Sequence, residues 1–307
     1  MNEIFLRAPA TIANFGPGFD IFALALDAPY DLFKIKRNDS GKVSVQISGG
    51  RDSLPTEAEK NTAGLAAIYF LEKIKAAAGA DIEIIKKMPA CAGLGSSAAS
   101  AAAAVFGLNK IFEAGLSDSE IIEIASRGEA ASGGTPHADN VAGCCLGGFV
   151  FIRNFHPLRI EKIDVPGIPI VIRVRRKSGT TSRGLIPDEL PLAHVKEQMA
   201  WCAALVHAMK TGDFEKIGEA VNRDHISEPV RSRFIPDYAG LKKKVLEAGA
   251  FGCNVSGGGS SVFAICPKNK LDYVAEILKR HQDQDEGPTE VLKTKAGNRG
   301  VMEIHEL

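Results

Sequence analysis

Hydrophobic positions in this chain recur with two periods, and the switches between them outline a mixed series of strands and helices. Alternating or β-branched stretches predict strands over residues 4–8, 32–36, 43–47, 81–87, 149–153 and 168–174. Val255 and residues 262–266 bracket a triple glycine as strand, loop, strand, and two short strands end the chain. Asn61 is placed to cap a helix running to about residue 78, where Gly79 ends it. Residues 98–114 form an alanine-rich helix, and Ser117 with Glu120 makes a capping box for the next. Glycines from Gly128 to Gly148 predict a long loop. Further helices are expected over 194–210, 214–221, 238–248 and 271–280. With no internal repeat and no long linker, the order predicts two closely joined α+β domains, 1–154 and 155–307.

Composition narrows the class. A length of 307 residues allows two domains or one large one, and 45% hydrophobic residues suffice for a substantial core. The 37 basic and 37 acidic residues cancel, which argues against a general nucleic-acid binder. No polybasic stretch suits an anionic membrane, and the longest apolar run, 98–108, is too short to span one. The first residues lack the basic and apolar regions of a signal peptide. Six cysteines, without C-x-x-C or zinc spacing, read as buried free thiols in a reducing cytoplasm.

Glycine is the compositional excess, at 31 residues, and it clusters at four distant places. Such loops let backbone approach a ligand closely, so a site assembled from distant segments is expected. Gly93-Leu94-Gly95-Ser96-Ser97 opens a helix, where free N–H groups and the dipole converge on an anion. The same residues also read as a serine cap after a glycine turn. Gly93-x-Gly95-x-x-Ala98 with Glu113 further fits a dinucleotide fingerprint, hence a nicotinamide-dependent oxidoreductase. The short polar strand before it is unlike the hydrophobic run of a central parallel strand. A G-K-[ST] P-loop and the protein-kinase H-R-D and D-F-G signatures are absent from the sequence.

Residues 89–97, ending in G-L-G-S-S-A, resemble the phosphate-binding motif of the GHMP kinases, a family named for galactokinase, homoserine kinase, mevalonate kinase and phosphomevalonate kinase. Ala8-Pro9-Ala10-Thr11 with Asn14 and Gly16-Pro17-Gly18-Phe19-Asp20 is similar to the family's first motif, and Asn254-Val255-Ser256-Gly257-Gly258-Gly259 to its third. The segments between resemble the homoserine kinase branch: Asn14 to Asp20, Glu129-(x)7-His137-Ala138-Asp139-Asn140-Val141, Glu228-Pro229-x-Arg231-(x)3-Ile235-Pro236, and Thr294-Lys295-Ala296-Gly297. The resemblance spans essentially the whole chain.

It implies a ribosomal-protein-S5-like N-terminal domain, a ferredoxin-like C-terminal domain and a site between them. It implies ATP along Pro89, Ala90, Cys91, Ala92, Gly93, Leu94, Gly95, Ser96 and Ser97, with Mg2+ near Ser97 and Glu129. The implied acceptor is L-homoserine, its ammonium on Asp20 and its carboxylate on Arg183 and Arg231, with Asn14, His137 and Asn140 completing the pocket. Some relatives carry an aspartate base where Asn140 stands, and an amide cannot accept the hydroxyl proton. Asp139, in an extended segment, would point away. Catalysis by positioning and charge stabilisation follows, with Ser97, Asn140 and Arg183 as catalytic residues. Gly179 replaces a threonine usual in homoserine kinases, so Thr180 or Thr181 is expected to supply that hydroxyl. Another hydroxylated carboxylate or amino acid stays open as acceptor, as does a silent ligand-binding relative. The expected partner is a small molecule, not nucleic acid or membrane, with homodimerisation left open.

Overall fold

The computed structural model describes residues 2–50, 53–132, 137–175, 183–281 and 290–306. In chain order its elements are β1 (Glu3–Ala13), β2 (Phe22–Asn38), β3 (Val43–Gly49), α1 (Thr62–Lys73), β4 (Gly79–Lys86), α2 (Ser96–Ile111), α3 (Asp118–Gly128), α4 (Ala138–Leu146), β5 (Phe149–Phe155), β6 (Leu158–Ile163), β7 (Pro169–Val174), α5 (Leu192–Thr211), α6 (Phe214–Val221), α7 (Glu228–Arg231), α8 (Tyr238–Glu247), β8 (Gly252–Val255), β9 (Val262–Ile265), α9 (Leu271–Arg280), β10 (Glu290–Lys295) and β11 (Met302–Ile304).

Two sheets organise them. The larger runs β11-β1-β2-β4-β3, with β5 on the first part of β2 and β6 on β5; only β3 and β4 pair in parallel. The smaller is antiparallel, β10-β7-β9-β8. Residue 155 falls inside the β5–β6 hairpin, so the chain crosses between sheets only after Ile163, and β11 brings its end back to the larger sheet.

Helix α2 lies against β1 and β2 and is enclosed by α1, α3 and α4. Its small residues make this possible: Ala98, Ala99 and Ala101 to Ala104 are all completely buried. At Gly107 a methyl group would come within 2.6 Å of Ile35 Cδ1 and 3.0 Å of Leu6 Cδ1. Close approach of helix to sheet seats the first turn of α2 at one end of the core. Phe15 links the two sheets, edge-on to Phe149 of β5 and stacked at 5.3 Å on Phe263 of β9. Among the described residues no helix is long and apolar enough to cross a membrane.

Two elements differ from the local sequence pattern. Helix α1 ends at Lys73, because Lys75 turns the chain in the left-handed region (φ 54°) and Gly79 begins β4 instead of ending a helix. The glycine-rich stretch contains α4. Gly143 there is a packing residue: a Cβ would lie 3.0 Å from Thr11 Cγ2 and 3.1 Å from Ala23 Cβ, against β1 and β2.

Candidate active site

Residues 87–95 leave β4 and enter α2. Gly93 and Gly95 both sit at φ +69°, and each is also a point of contact. A Cβ on Gly93 would lie 2.4 Å from the carbonyl oxygen of Ser256; one on Gly95 would lie 2.1 Å from Thr11 Oγ1. The Ser256 hydroxyl donates to Gly93 O at 2.7 Å, and Thr11 N–H donates to Leu94 O at 3.0 Å. Three segments distant in sequence therefore close on one another through glycine. Helix α2 has no side-chain N-cap, so its first-turn N–H groups point outward without a side-chain acceptor. They face a cavity of about 550 Å³, a size suited to a small-molecule ligand. Residues 90–97 all line it; Pro89 does not. Asn61, Asn140, Gly257 and Gly258 border it too.

At the floor of this turn Ser97 Oγ donates to Glu129 Oε2 at 3.0 Å. The other carboxylate oxygen, Oε1, is buried and has no hydrogen-bond partner among the described residues. Burial pushes the Glu129 pKa up to about 7, opposed by the Ser97 hydrogen bond. Asp139 is also buried and pushed up to about 7, first by desolvation and then by the charge of Asp20. Its Oδ1 accepts the Asn140 N–H at 2.7 Å. Because residues 138–146 are helical, Asp139 and Asn140 diverge by about 100° instead of lying on opposite faces as an extended segment would place them. Asn140 Oδ1 accepts the Thr11 hydroxyl at 2.7 Å, which leaves its amide nitrogen as the free polar end.

The residues named for the acceptor converge beside this cavity. The loop from Asn14 to Asp20 turns through left-handed conformations at Asn14, Gly16 and Asp20. At Gly16 a Cβ would touch the Val221 backbone at 2.6 Å, so only glycine lets the loop reach α6. Asn14 Oδ1 accepts the Asp20 N–H at 3.0 Å, and its Nδ2 donates to Gly257 O at 3.2 Å. Arg231, 5% exposed, donates to the same carbonyl. Arg183 reaches Asp20 with both terminal nitrogens, at 2.7 and 2.6 Å. The guanidinium groups of Arg183 and Arg231 both lie over Phe19, 4.9 and 5.4 Å from the ring centre. His137 Nδ1 is 3.8 Å from Asp20 Oδ1; burial lowers its pKa, against the pull of Asp20. Gly179, Thr180 and Thr181 lie outside the described residues.

Asp31, Lys86 and Ser100, which belong to none of the sequence motifs, form a buried polar cluster under the loop. One signal was available: Ile82, Ile84 and Lys86 share the inward face of β4 at period two, so a lysine occupies a core position. Thr11 was seen only as part of a motif; its grip on Asn140 depends on a contact across 129 residues.

The fold and this arrangement define a two-domain small-molecule kinase of the GHMP type. The family model described as "GHMP kinases N terminal domain" matches residues 61–148, and "GHMP kinases C terminal" matches 205–284. Homoserine kinase of Methanococcus vannielii is 36% identical over 284 residues, 91% of this chain and 93% of that protein. Homoserine kinase of Methanopyrus kandleri is 39% identical over 281 residues, 89% and 91% of the two chains. The crystal structure of homoserine kinase from Cytophaga hutchinsonii superposes with a TM-score of 0.89 at 34% identity, covering 99% and 98%. The chain belongs to the GHMP kinases, and within them to the homoserine kinase family. The dinucleotide reading of the G-x-G loop falls with this: β4 is flanked by an antiparallel β2, not set in a doubly wound parallel sheet.

Proposed function

We propose that this protein transfers the γ-phosphoryl group of ATP to the hydroxyl of L-homoserine, giving O-phospho-L-homoserine for threonine biosynthesis. The observation that carries the reading is the cluster around Phe19. One carboxylate, Asp20, and two guanidinium groups, Arg183 and Arg231, converge there, and Asn140, one turn of α4 on from His137, lines the neighbouring cavity. That charge pattern complements a zwitterion carrying both an ammonium and a carboxylate. The names of the relatives, homoserine kinase in each case, support the same acceptor.

In this reading the loop of residues 90–97 and the first turn of α2 hold the polyphosphate of ATP. Ser97 and Glu129 fit a divalent cation, since a hydroxyl and a buried carboxylate oxygen without a partner are hard oxygen donors awaiting a charge. Mg2+ bound there supplies charge neutralisation on the phosphoryl oxygens. Glu129 stays ionised beside it, against the pull of burial. Asp20 takes the ammonium of homoserine, Arg183 and Arg231 take its carboxylate, and Asn14 and His137 hold the loop and border the pocket. Asn140, its oxygen occupied by Thr11, presents N–H to the reacting oxygens as a donor. No base is needed in this scheme: transfer proceeds by alignment and charge stabilisation, and the hydroxyl proton leaves with phosphate or solvent.

An ADP-release assay over L-homoserine, serine, threonine, 4-hydroxybutyrate and a simple diol tests the reading. L-Homoserine should give the highest kcat/KM. A better hydroxy-amino acid would move the substrate but keep the charge logic; an efficient diol would refute the roles of Asp20 and both arginines.

A further inference from the structure

Beneath the phosphate loop Asp31 of β2 and Lys86 of β4 form an ion pair at 2.6 Å, with Asp31 completely buried and Lys86 6% exposed. Its hydrogen bonds reach both ends of the loop. At the entry, Asp31 Oδ1 accepts the N–H groups of Lys87 at 2.8 Å and Met88 at 2.9 Å. At the exit, Lys86 Nζ donates to Ser96 Oγ at 2.8 Å and Ser100 Oγ at 3.0 Å, with Ser96 O at 3.2 Å. A single pair thus sets the span between the last residue of β4 and the first turn of α2.

Stability gives little reason for this arrangement. An apolar pair of similar volume usually does as well as a buried ion pair or better. An ammonium under a helix N-terminus also opposes the helix dipole. Both features make sense if the loop must meet a polyphosphate. The ammonium faces α2 and the carboxylate faces the loop entry at Lys87 and Met88, so the positive end of the pair reinforces the first-turn N–H groups. Lys86 also borders the cavity, but with four oxygens within 3.2 Å its three ammonium protons are engaged inside the protein, so it acts on a ligand through the loop.

We propose that Asp31 and Lys86 are positioning residues for the nucleotide: their pair holds the phosphate loop at the spacing and polarity that bind the polyphosphate. This rests on reading the loop as the ATP site. The test compares wild type with Asp31→Asn/Lys86→Met, which removes both charges together and leaves none uncompensated, and with Ser100→Ala, which keeps the pair and deletes one tie to α2. MgATP binding is measured by calorimetry without acceptor, alongside the urea midpoint and both KM values. The double variant should stay folded, bind MgATP at least tenfold more weakly and raise KM for ATP to match, with KM for homoserine within threefold of wild type. Ser100→Ala should weaken MgATP about threefold. A folded double variant that binds MgATP within twofold of wild type overturns the proposal. So does a double variant that cannot fold, because the pair would then serve stability alone. Wild type failing to bind MgATP would refute the nucleotide reading instead.

Discussion

Arg183 closes on Asp20 through a hydrogen bond of 2.7 Å and a second ion-pair contact of 2.6 Å, so in the free protein the two groups assigned to the ends of the amino acid satisfy each other. A zwitterion entering between them exchanges one internal pair for two new ones. A ligand with only one of the two charges leaves a partner stranded. Asp20→Asn should therefore raise KM for homoserine at least tenfold while leaving KM for ATP within about twofold. 4-Hydroxybutyrate, which lacks the ammonium, should be a poor substrate for wild type and lose less in the variant. Steady-state kinetics decide it: equal losses for the two compounds would place Asp20 away from the ammonium.

Ser97 links the first turn of α2 to Glu129. Ser97→Ala should lower kcat roughly ten- to a thousandfold, of order 1–4 kcal/mol in the transition state, while the protein remains folded. The dependence on Mg2+ concentration should shift upward. Normal turnover at saturating Mg2+ would remove Ser97 from the metal side.

Asp139 gives a pH dependence with a definite sign. Its pKa is about 7 in the folded protein against an ordinary 3.8, so the native state keeps a proton that the unfolded chain has lost. Stability is unaffected below about pH 4, falls between about pH 4 and 7 by up to ~1.4 kcal/mol per pH unit, and levels above that. Glu129, also held near 7, adds a slope of the same sign. Asp139→Asn keeps the acceptor for Asn140 N–H and should flatten the profile. Urea midpoints from pH 4 to 8 in metal-free buffer measure this; an unaltered slope in the variant would contradict the assignment.

Gly95→Ala places a methyl group 2.1 Å from Thr11 Oγ1, in a left-handed conformation that alanine resists. The cost should be about 1–3 kcal/mol of stability, with a loss of activity of a hundredfold or more as Thr11 is driven off Asn140. Adding Thr11→Ala should recover part of the stability but not the turnover, because Asn140 then lacks its donor. Thermal melts and kcat of the single and double variants separate the two effects.

Much of the architecture was legible locally. The Ser117–Glu120 capping box forms with both of its hydrogen bonds, and the helices over 214–221 and 271–280 appear at the expected limits. Each depends on residues within a few positions, where caps and periodicity act. The helix α4 was hidden because its glycines suggest a turn, whereas Gly143 is small in order to meet Thr11 and Ala23. The candidate site residues were recovered as segments, through a resemblance, and not as partners of one another.

By itself the sequence determined the mixed α+β class, the glycine loop at a helix start and the charge types gathered in three glycine-bearing motifs, because these follow from short-range preference and residue chemistry. The tertiary structure alone decided which groups meet. Arg183 pairs with Asp20 across 163 positions, Thr11 orients Asn140 across 129, and Ser256 reaches Gly93 across 163. Such contacts form only once α2 has sunk its alanine face against β1 and β2 and Phe15 has locked the two sheets together. They depend on burial and on closing long stretches of chain, which local pattern does not encode.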